Sequence, residues 1–292
     1  MTAQKICLGV EINQDGLKIA LVEAERKNIV KIDAVPTSGD SINDTSIYSS
    51  VISSWMRNNL QYKISSVAVA LPAYSSIMRL TTIPKEVEQA FDYVEWEFAS
   101  AINSKANDYR MDVAFYPNAK KPERAIVTAV RKKIVDSFCS AELERSGFRP
   151  NCLIVDICAL LNLLECSEDL DDEPKCILKA DEKFAVAFWG NKTGPLAIKL
   201  MPKDFLSPAV ILEFLEDGYK KFPTVKRKIK FCGELSANTD FAGELAKAAK
   251  ELKKSMEIQV WSSLSKFSVE KNGNFSKLSQ CLGAIGATLN CM

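Results

Sequence analysis

Short hydrophobic runs recur in the same order in the two halves of the chain. Three runs rich in Ile, Val and Leu predict strands near the N-terminus, at residues 5–12, 17–23 and 28–35. A segment with helical spacing follows at residues 47–60, with Asp44, Thr45 or Ser46 available as its N-cap. The next run, Val67–Leu71, is continuously apolar, which is typical of a buried strand.

The second half of the chain repeats this order. Three successive strand patterns are followed by a helix, a strand, a second helix, a further strand and a terminal helix. These patterns cover residues 175–180, 183–190, 195–201, 208–222, 228–233, 240–254, 257–261 and 278–289. We interpret the repeat as a duplication of architecture and not of sequence.

A small module of strands and one helix interrupts the first copy. After a strand at residues 76–84, Pro84 begins a predicted helix over residues 85–102, whose apolar side carries Val87, Phe91, Val94, Phe98 and Ile102. Its other positions are largely acidic, and such a face is usually only solvated. Trp96 and Met78 are expected in the core. Two further strands, joined by a hairpin turn, are predicted at residues 110–117 and 124–130.

The remaining segments complete the two copies. Residues 131–147 predict one amphipathic helix that ends at Gly147, and an acidic turn marks a boundary near residue 171. We therefore expect a first-lobe core, an inserted α+β subdomain, the end of the first lobe with its connector, and a second lobe. The corresponding residues are 1–72, 73–130, 131–171 and 172–292.

Composition excludes several classes of function. The chain has 292 residues and a net charge of +1, which gives no support for binding nucleic acid. It contains no histidine, the commonest general base and metal ligand, and its nine cysteines include no CxxC pair, so we expect no metal site. No apolar run reaches the roughly 20 residues of a membrane span, so we expect a soluble, cytoplasmic protein.

The segment "GVEINQDGLK", residues 9–18, joins the first two predicted strands. It has two interpretations. It is either a hairpin turn, in which Asp15 and Gly16 supply a positive φ, or a phosphate-binding loop, and we favour the turn. Lys18 likewise either lies near phosphate or faces solvent on an alternating strand.

A duplicated β-β-β-α-β-α unit is the plan of the actin/hexokinase/Hsp70 superfamily, which is a ribonuclease H-like α/β fold. In the order and spacing of its segments the chain resembles the PilM family of actin-like type IV pilus assembly proteins, which is similar to FtsA. The segments that carry the resemblance are "GVEINQDGLKIALVE", "VAVALPAYSSIMRLTTIPKEVEQAFDYVEWEFASAI", "RPNCLIVDICALLNLLE", "KFCGELSANTDFAGELAKAAKELKKSMEIQVWS" and "CLGAIGATL".

The resemblance implies three nucleotide loops, and the chain departs from the family at each. The first loop has Glu11 for Asp and Asn13 for Gly, and the second has Lys179 and Asp181 for Asp and Gly. At the adenosine loop a Gly-Gly pair becomes Gly233 and Glu234. The cofactor-binding positions, including Lys18, are thus degenerate, and we expect no cofactor, or only weak binding of ATP and Mg²⁺, and no catalysis.

The resemblance also implies a partner. In the family, the inserted subdomain and the first core subdomain form a groove for the N-terminal cytoplasmic tail of an inner-membrane protein, PilN. An extended peptide can bind in such a groove by strand addition or in apolar pockets. The residues expected to line the groove are Ile77, Met78, Leu80 and Ile83. Self-association or other pilus platform proteins remain open.

We therefore expect a scaffold of type IV pilus or type II secretion assembly, peripheral at the inner face of the inner membrane. The alternative is an ATP-binding actin-like ATPase or kinase relative, which requires an acid at position 179 and glycines near 181 and 234. A third possibility is the cytoplasmic domain of a type II secretion protein of the GspL kind, which normally continues into a membrane span.

Overall fold

The computed structural model describes residues 5–14, 16–23, 25–37, 41–59, 61–102, 106–116, 122–167, 172–182, 184–202, 206–220, 227–252, 256–270 and 275–291. The predicted boundary near residue 171 and most of the turn at residues 118–123 lie outside these ranges.

Strands and helices follow one another through the described residues, with three strands in succession at the start of each copy. The strands are β1 (Ile6–Ile12), β2 (Gly16–Glu23), β3 (Asn28–Pro36), β4 (Ile64–Leu71), β5 (Ser76–Thr82), β6 (Tyr109–Tyr116), β7 (Arg124–Arg131), β8 (Cys152–Val155), β9 (Lys175–Asp181), β10 (Phe184–Asn191), β11 (Gly194–Pro202), β12 (Arg227–Cys232), β13 (Met256–Val260) and β14 (Ser268–Val269). The helices are α1 (Thr45–Arg57), α2 (Ala90–Ile102), α3 (Lys132–Phe138), α4 (Ala141–Ser146), α5 (Asp156–Ser167), α6 (Pro208–Tyr219), α7 (Glu234–Ala237), α8 (Thr239–Leu252) and α9 (Leu282–Thr288).

Two of the sheets have the same topology. Their strand orders are β14-β3-β2-β1-β4-β8 and β11-β10-β9-β12-β13. In each, the first three strands along the chain pair antiparallel, and the first of them then pairs parallel with a strand that follows a helix. The duplication predicted from the hydrophobic pattern is confirmed, and the order 3-2-1-4-5 is common to both copies.

The chain divides into two compact units, which differ from the predicted lobes. The first unit contains residues 1–72, 133–169 and 261–292, and the second contains residues 73–132 and 170–260. The inserted subdomain therefore belongs to the compact unit of the second sheet. Within that unit β11 lies beside β5 and β7, and Arg124 Nη1 donates to the carbonyl oxygen of Pro195 at 2.9 Å.

Glycines let helix α9 pack directly against the backbone of the first unit. A Cβ on Gly9 of β1 would lie 2.0 Å from the carbonyl oxygen of Ala284, and one on Gly286 would lie 2.1 Å from the carbonyl oxygen of Ala159 in α5. Strand β14 also pairs with β3. The assignment of all of residues 172–292 to a second lobe is therefore wrong, because residues 261–292 pack on the first sheet.

The inserted subdomain is a three-stranded sheet, β5-β7-β6, covered by α2. Helix α2 begins at Ala90 and not at residue 85, because the segment before it forms a turn in which the Val87 N–H donates to the Pro84 carbonyl at 3.1 Å. The buried face of α2 is set by Val94 and Phe98. Phe91, predicted on that face, is instead half exposed.

The single helix predicted over residues 131–147 is two helices. Ser140 interrupts it by adopting an extended conformation, and its hydroxyl caps α4 by accepting from the Leu143 N–H at 3.4 Å. The predicted end at Gly147 is confirmed, since this residue takes a left-handed conformation with a φ of 78°.

We predict that Gly286→Ala lowers the free energy of unfolding by about 1–3 kcal/mol, because the new methyl group meets the fixed carbonyl of Ala159. The matched control is Gly243→Ala in α8, where a Cβ would have no neighbour within 4 Å. That variant should be more stable than wild type by about 0.5–1 kcal/mol, the ordinary gain in helix propensity. Urea unfolding followed by circular dichroism measures both. Equal effects of the two substitutions would contradict the packing described for α9.

Candidate functional site

The hairpin between β1 and β2 closes at Asn13. Its N–H donates to the carbonyl oxygen of Gly16 at 2.9 Å, and Ile12 pairs with Leu17. Gly16 is not among the glycines with a positive φ, so the predicted turn conformation is wrong for this residue. A Cβ there would lie 2.5 Å from the carbonyl oxygen of Val35 on β3, which explains the glycine by close approach. Asp15 lies outside the described residues.

Glu11 and Lys18 lie directly opposite each other on β1 and β2. Their side chains are buried, with exposed fractions of 1% and 7%, so the solvent-facing alternative for Lys18 is wrong. Helix α9 covers them, and Gly283 is required there because a Cβ would lie 2.3 Å from Glu11 Oε2. Burial raises the pKa of the Cys281 thiol to about 12, with the Glu11 carboxylate adding to the shift and the Lys18 ammonium opposing it.

The side chain of Asn13 is buried, and its amide is unsatisfied within the described part of the chain. Both its Nδ2 and its Oδ1 lack a partner among the described residues, and only 4% of the residue is exposed. An unsatisfied buried amide costs about 1–3 kcal/mol, and such groups call for a bound water or another polar group. Asn13 is therefore the residue of this loop whose chemistry favours a small polar ligand.

The second sheet brings four of the predicted residues together at the end of β9. Lys179 Nζ lies 3.4 Å from Asp181 Oδ2, and their side chains are 4% and 18% exposed. The other carboxylate oxygen of Asp181, Oδ1, accepts from the backbone N–H of Glu234 at 3.0 Å. Both oxygens of Asp181 are thus engaged by groups of the same unit, and the negative charge is balanced by a buried ammonium group.

Gly233 shapes the turn that carries the Glu234 N–H. It has a φ of 92°, and a Cβ would lie 2.6 Å from the carbonyl oxygen of Ala180 and 2.9 Å from Asp181 Oδ1. Its own carbonyl oxygen accepts from Ser236 Oγ at 2.6 Å. The turn between β12 and α7 therefore keeps the glycine that its geometry demands, while Glu234 replaces the second glycine that the family pattern implies.

The structure thus forms two clusters from the predicted cofactor positions. Glu11, Asn13 and Lys18 lie in the first unit, and Lys179, Asp181, Gly233 and Glu234 lie in the second. Each cluster contains an acid and a lysine near the end of the first strand of its copy, with Glu11 on β1 opposite Lys18 on β2, and Lys179 and Asp181 both on β9. In the second cluster the Asp181 carboxylate accepts a hydrogen bond from the Glu234 N–H at the start of α7, a position where anions are favoured.

The four residues predicted to line a partner groove lie on both faces of the inserted sheet. Ile83 is 5% exposed and belongs to the core beneath α2, so it does not line a surface groove. Ile77 also packs against that core. Met78 and Leu80 point to the opposite face because side chains alternate along a strand, and both are half-buried.

Two other kinds of site are missing from the described part of the chain. No helix there is both long enough and apolar enough to cross a membrane. Within the same residues, no group of three or more Cys, Asp or Glu side chains is arranged to hold a metal ion.

Sequence reasoning missed three features of these sites. Gly283 and Cys281 contribute to the first cluster from the far end of the chain, and the only signal for them was the run of small residues in the terminal helix. Nothing in the sequence indicated that the amide of Asn13 would be buried with no partner among the described residues. Trp96, expected in the core, is 66% exposed, because it lies two residues from both Val94 and Phe98 and therefore on the side of α2 away from the core.

Comparisons with known proteins identify the fold. No protein-family model matches the chain, and no curated protein sequence matches it. Among solved structures, a chain of the PilM-PilN type IV pilus biogenesis complex superposes with a TM-score of 0.72 at 15% identity, over 97% of this chain and 98% of that one.

Two further structures are similar over most of the chain. A Bacteroides thetaiotaomicron protein with an actin-like ATPase fold and unknown function gives a TM-score of 0.57 at 13% identity, over 88% of this chain and 91% of that one. The cytoplasmic domain of EpsL, an inner-membrane component of the type II secretion system of Vibrio cholerae, gives 0.52 at 14% identity, over 97% and 95%. The chain therefore has the actin-like fold, and its structure resembles that of the chain in the PilM-PilN complex.

Proposed function

We propose that this chain is a non-catalytic scaffold of type IV pilus or type II secretion assembly, and that it binds the cytoplasmic tail of an inner-membrane partner similar to PilN. The observation that carries the proposal is the contact of the Asp181 carboxylate with Lys179 and with the Glu234 N–H. This contact lies in the loop that corresponds to a nucleotide-binding loop of the actin-like family. The protein would act at the inner face of the inner membrane.

The charges in the second cluster argue against a bound triphosphate. A phosphate approaching the Glu234 N–H has to displace the Asp181 carboxylate, which accepts from it at 3.0 Å. The displaced carboxylate of Asp181 would then lie beside the phosphate, away from bulk water. In this medium of low dielectric the two negative charges would repel each other strongly. The site also has no carboxylate ligand for Mg²⁺ at position 179, which is occupied by Lys179.

The inserted sheet supplies the surface for a partner tail. β5 is an edge strand of this sheet, and it pairs with β7 on one side and lies near β11 of the same unit. Its half-buried residues Met78 and Leu80 alternate with Arg79, as the side-chain pockets of a strand-addition site require. The likeness to the PilM-PilN complex over nearly the whole chain supports a tail of the same kind as the ligand.

One observation favours the alternative function, an ATP-binding actin-like protein. The buried amide of Asn13 has no partner among the described residues and lies at the loop position where phosphate approaches in the family pattern. Under this alternative the wild-type chain binds ATP with Mg²⁺, and Asn13→Ala weakens that binding. Under our proposal Asn13→Ala changes nothing, because there is no binding to weaken.

We predict that the wild-type chain shows no saturable binding of a fluorescent ATP analogue with Mg²⁺ up to about 1 mM, measured by anisotropy. The triple variant Lys179→Asp, Asp181→Gly and Glu234→Gly frees the backbone N–H and restores a metal-binding acid, so measurable binding should return. Thermal unfolding checks that the variant is folded. A micromolar dissociation constant for the wild type would show that the altered loops still function, whatever the variant does.

We also predict that a peptide with the N-terminal cytoplasmic tail of a bitopic protein encoded beside this gene binds the chain, and that Met78→Glu weakens binding at least tenfold, by about 1.4 kcal/mol or more. The charged side chain would have to be desolvated under the bound strand. The matched control is Ala114→Glu, an exposed position on β6 at the other edge of the same sheet. Titration calorimetry compares the two. Failure of every tail to bind the wild type would contradict the proposed function.

A further inference from the structure

The solvent face of α2 carries two large aromatic side chains. Phe91 is 50% exposed and Trp96 is 66% exposed. They mark the two edges of this face, since the five steps from Phe91 to Trp96 turn the helix by about 140°, with Glu95 and Asp92 between them. Tyr93 extends this surface, because its ring centroid lies 6.3 Å from that of Trp96.

This face is also strongly acidic. Residues 83–102 contain five carboxylates and a single basic residue, Lys85. Asp92 and Glu95 are exposed on the helix between the two aromatic residues, and no ion pair to either is formed by a described residue. We refer to Phe91, Asp92, Glu95 and Trp96 as the aromatic-acidic face.

The fold itself does not require the aromatic-acidic face. Helix α2 is held on its sheet from the other side, by Val94 and Phe98 in the core. The charged anchor is Glu97, which accepts from Thr81 Oγ1 at 2.5 Å and pairs with Arg79 at 2.7 Å. Exposed aromatic surface is unfavourable in water and marks interaction sites when several such residues adjoin.

We propose that the aromatic-acidic face binds an amphipathic segment of a partner protein that is rich in Lys and Arg. The faces of Trp96 and Phe91 accept cations over their rings, and the carboxylates of Asp92 and Glu95 pair with the same cations. The alkyl stems of Lys and Arg cover the aromatic surface at the same time. A membrane surface is disfavoured, because anionic lipid headgroups repel these carboxylates.

The inference goes beyond the proposed function, because it concerns a second surface of the inserted subdomain. A cytoplasmic segment beside a membrane span carries an excess of Lys and Arg, so a bitopic partner supplies a suitable ligand. The surface is nevertheless distinct from Met78 and Leu80 on the opposite face of the sheet. A synthetic probe therefore tests it without any pilus or secretion partner.

The probe is a fluorescent 18-residue helical peptide with Lys on one face and Leu on the other, and its counterpart has Glu for every Lys. We expect the Lys peptide to bind in the micromolar range, more weakly as salt rises, and the Glu peptide not to bind. Trp96→Ala and the double variant Asp92→Lys with Glu95→Lys should each raise the dissociation constant at least about tenfold. Met78→Glu should have no effect.

The matched control for the charge reversal is Glu244→Lys with Glu251→Lys, at two exposed acids of α8. It should change the dissociation constant by less than about twofold. A second readout is intrinsic fluorescence, because Trp55, Trp189 and Trp261 are buried and Trp96 is exposed. The Lys peptide should shift the emission of wild type to shorter wavelength but not that of Trp96→Ala.

Two results would overturn the inference. One is equal weakening by the α2 and α8 charge reversals, which would mean a general electrostatic attraction. The other is a concentration-dependent dimer in sedimentation that Trp96→Ala abolishes, which would mean that a second copy covers the face. Either result would leave the proposed function intact, because tail binding at Met78 is measured separately.

Discussion

The fold of the first unit depends on the backbone contacts of helix α9. Gly9 and Gly286 are the positions where β1 and α5 come within van der Waals distance of its main chain. At these contacts a side chain of any size on either partner separates the elements, so the packing is set by the absence of side chains. The same helix brings Gly283 against Glu11, and it thereby determines what the end of β1 can hold.

The two sheets share one topology, and each has a buried charged residue near the end of its first strand. The charge is negative in the first sheet, at Glu11, and positive in the second, at Lys179. In the first sheet the acid Glu11 lies on the leading strand and Lys18 on its neighbour. In the second sheet the leading strand carries Lys179, and Asp181 follows two residues later. Burying an unpaired charge costs several kcal/mol, and in each sheet the charged residue on the first strand has a residue of opposite charge nearby. The duplicated architecture thus tolerates different residues as long as charge is balanced locally.

The architecture could be predicted from sequence because it depends on periodicity. Alternating and continuous apolar runs located the strands, and their order revealed the duplication. The placement of residues 261–292 could not be predicted, because the contacts of α9 with Gly9 and Ala159 join positions far apart in the chain. The start of α2 was missed for a related reason, since Val87 enters the core from a turn and mimics a helical position. At the sites, the sequence showed which positions differ from the nucleotide loops of the family. It did not show that the Asp181 carboxylate accepts a hydrogen bond from the Glu234 N–H.

The bond from the Glu234 N–H to Asp181 has a consequence for how this loop responds to the cell. A loop organised by a diffusible anion changes its order with the concentration of that anion. Here the anion is part of the neighbouring strand and is always present. Under the proposed function, in which no nucleotide binds, the geometry of the turn at Gly233 is therefore independent of the metabolic state, and the contacts of the protein with its neighbours are what can still change.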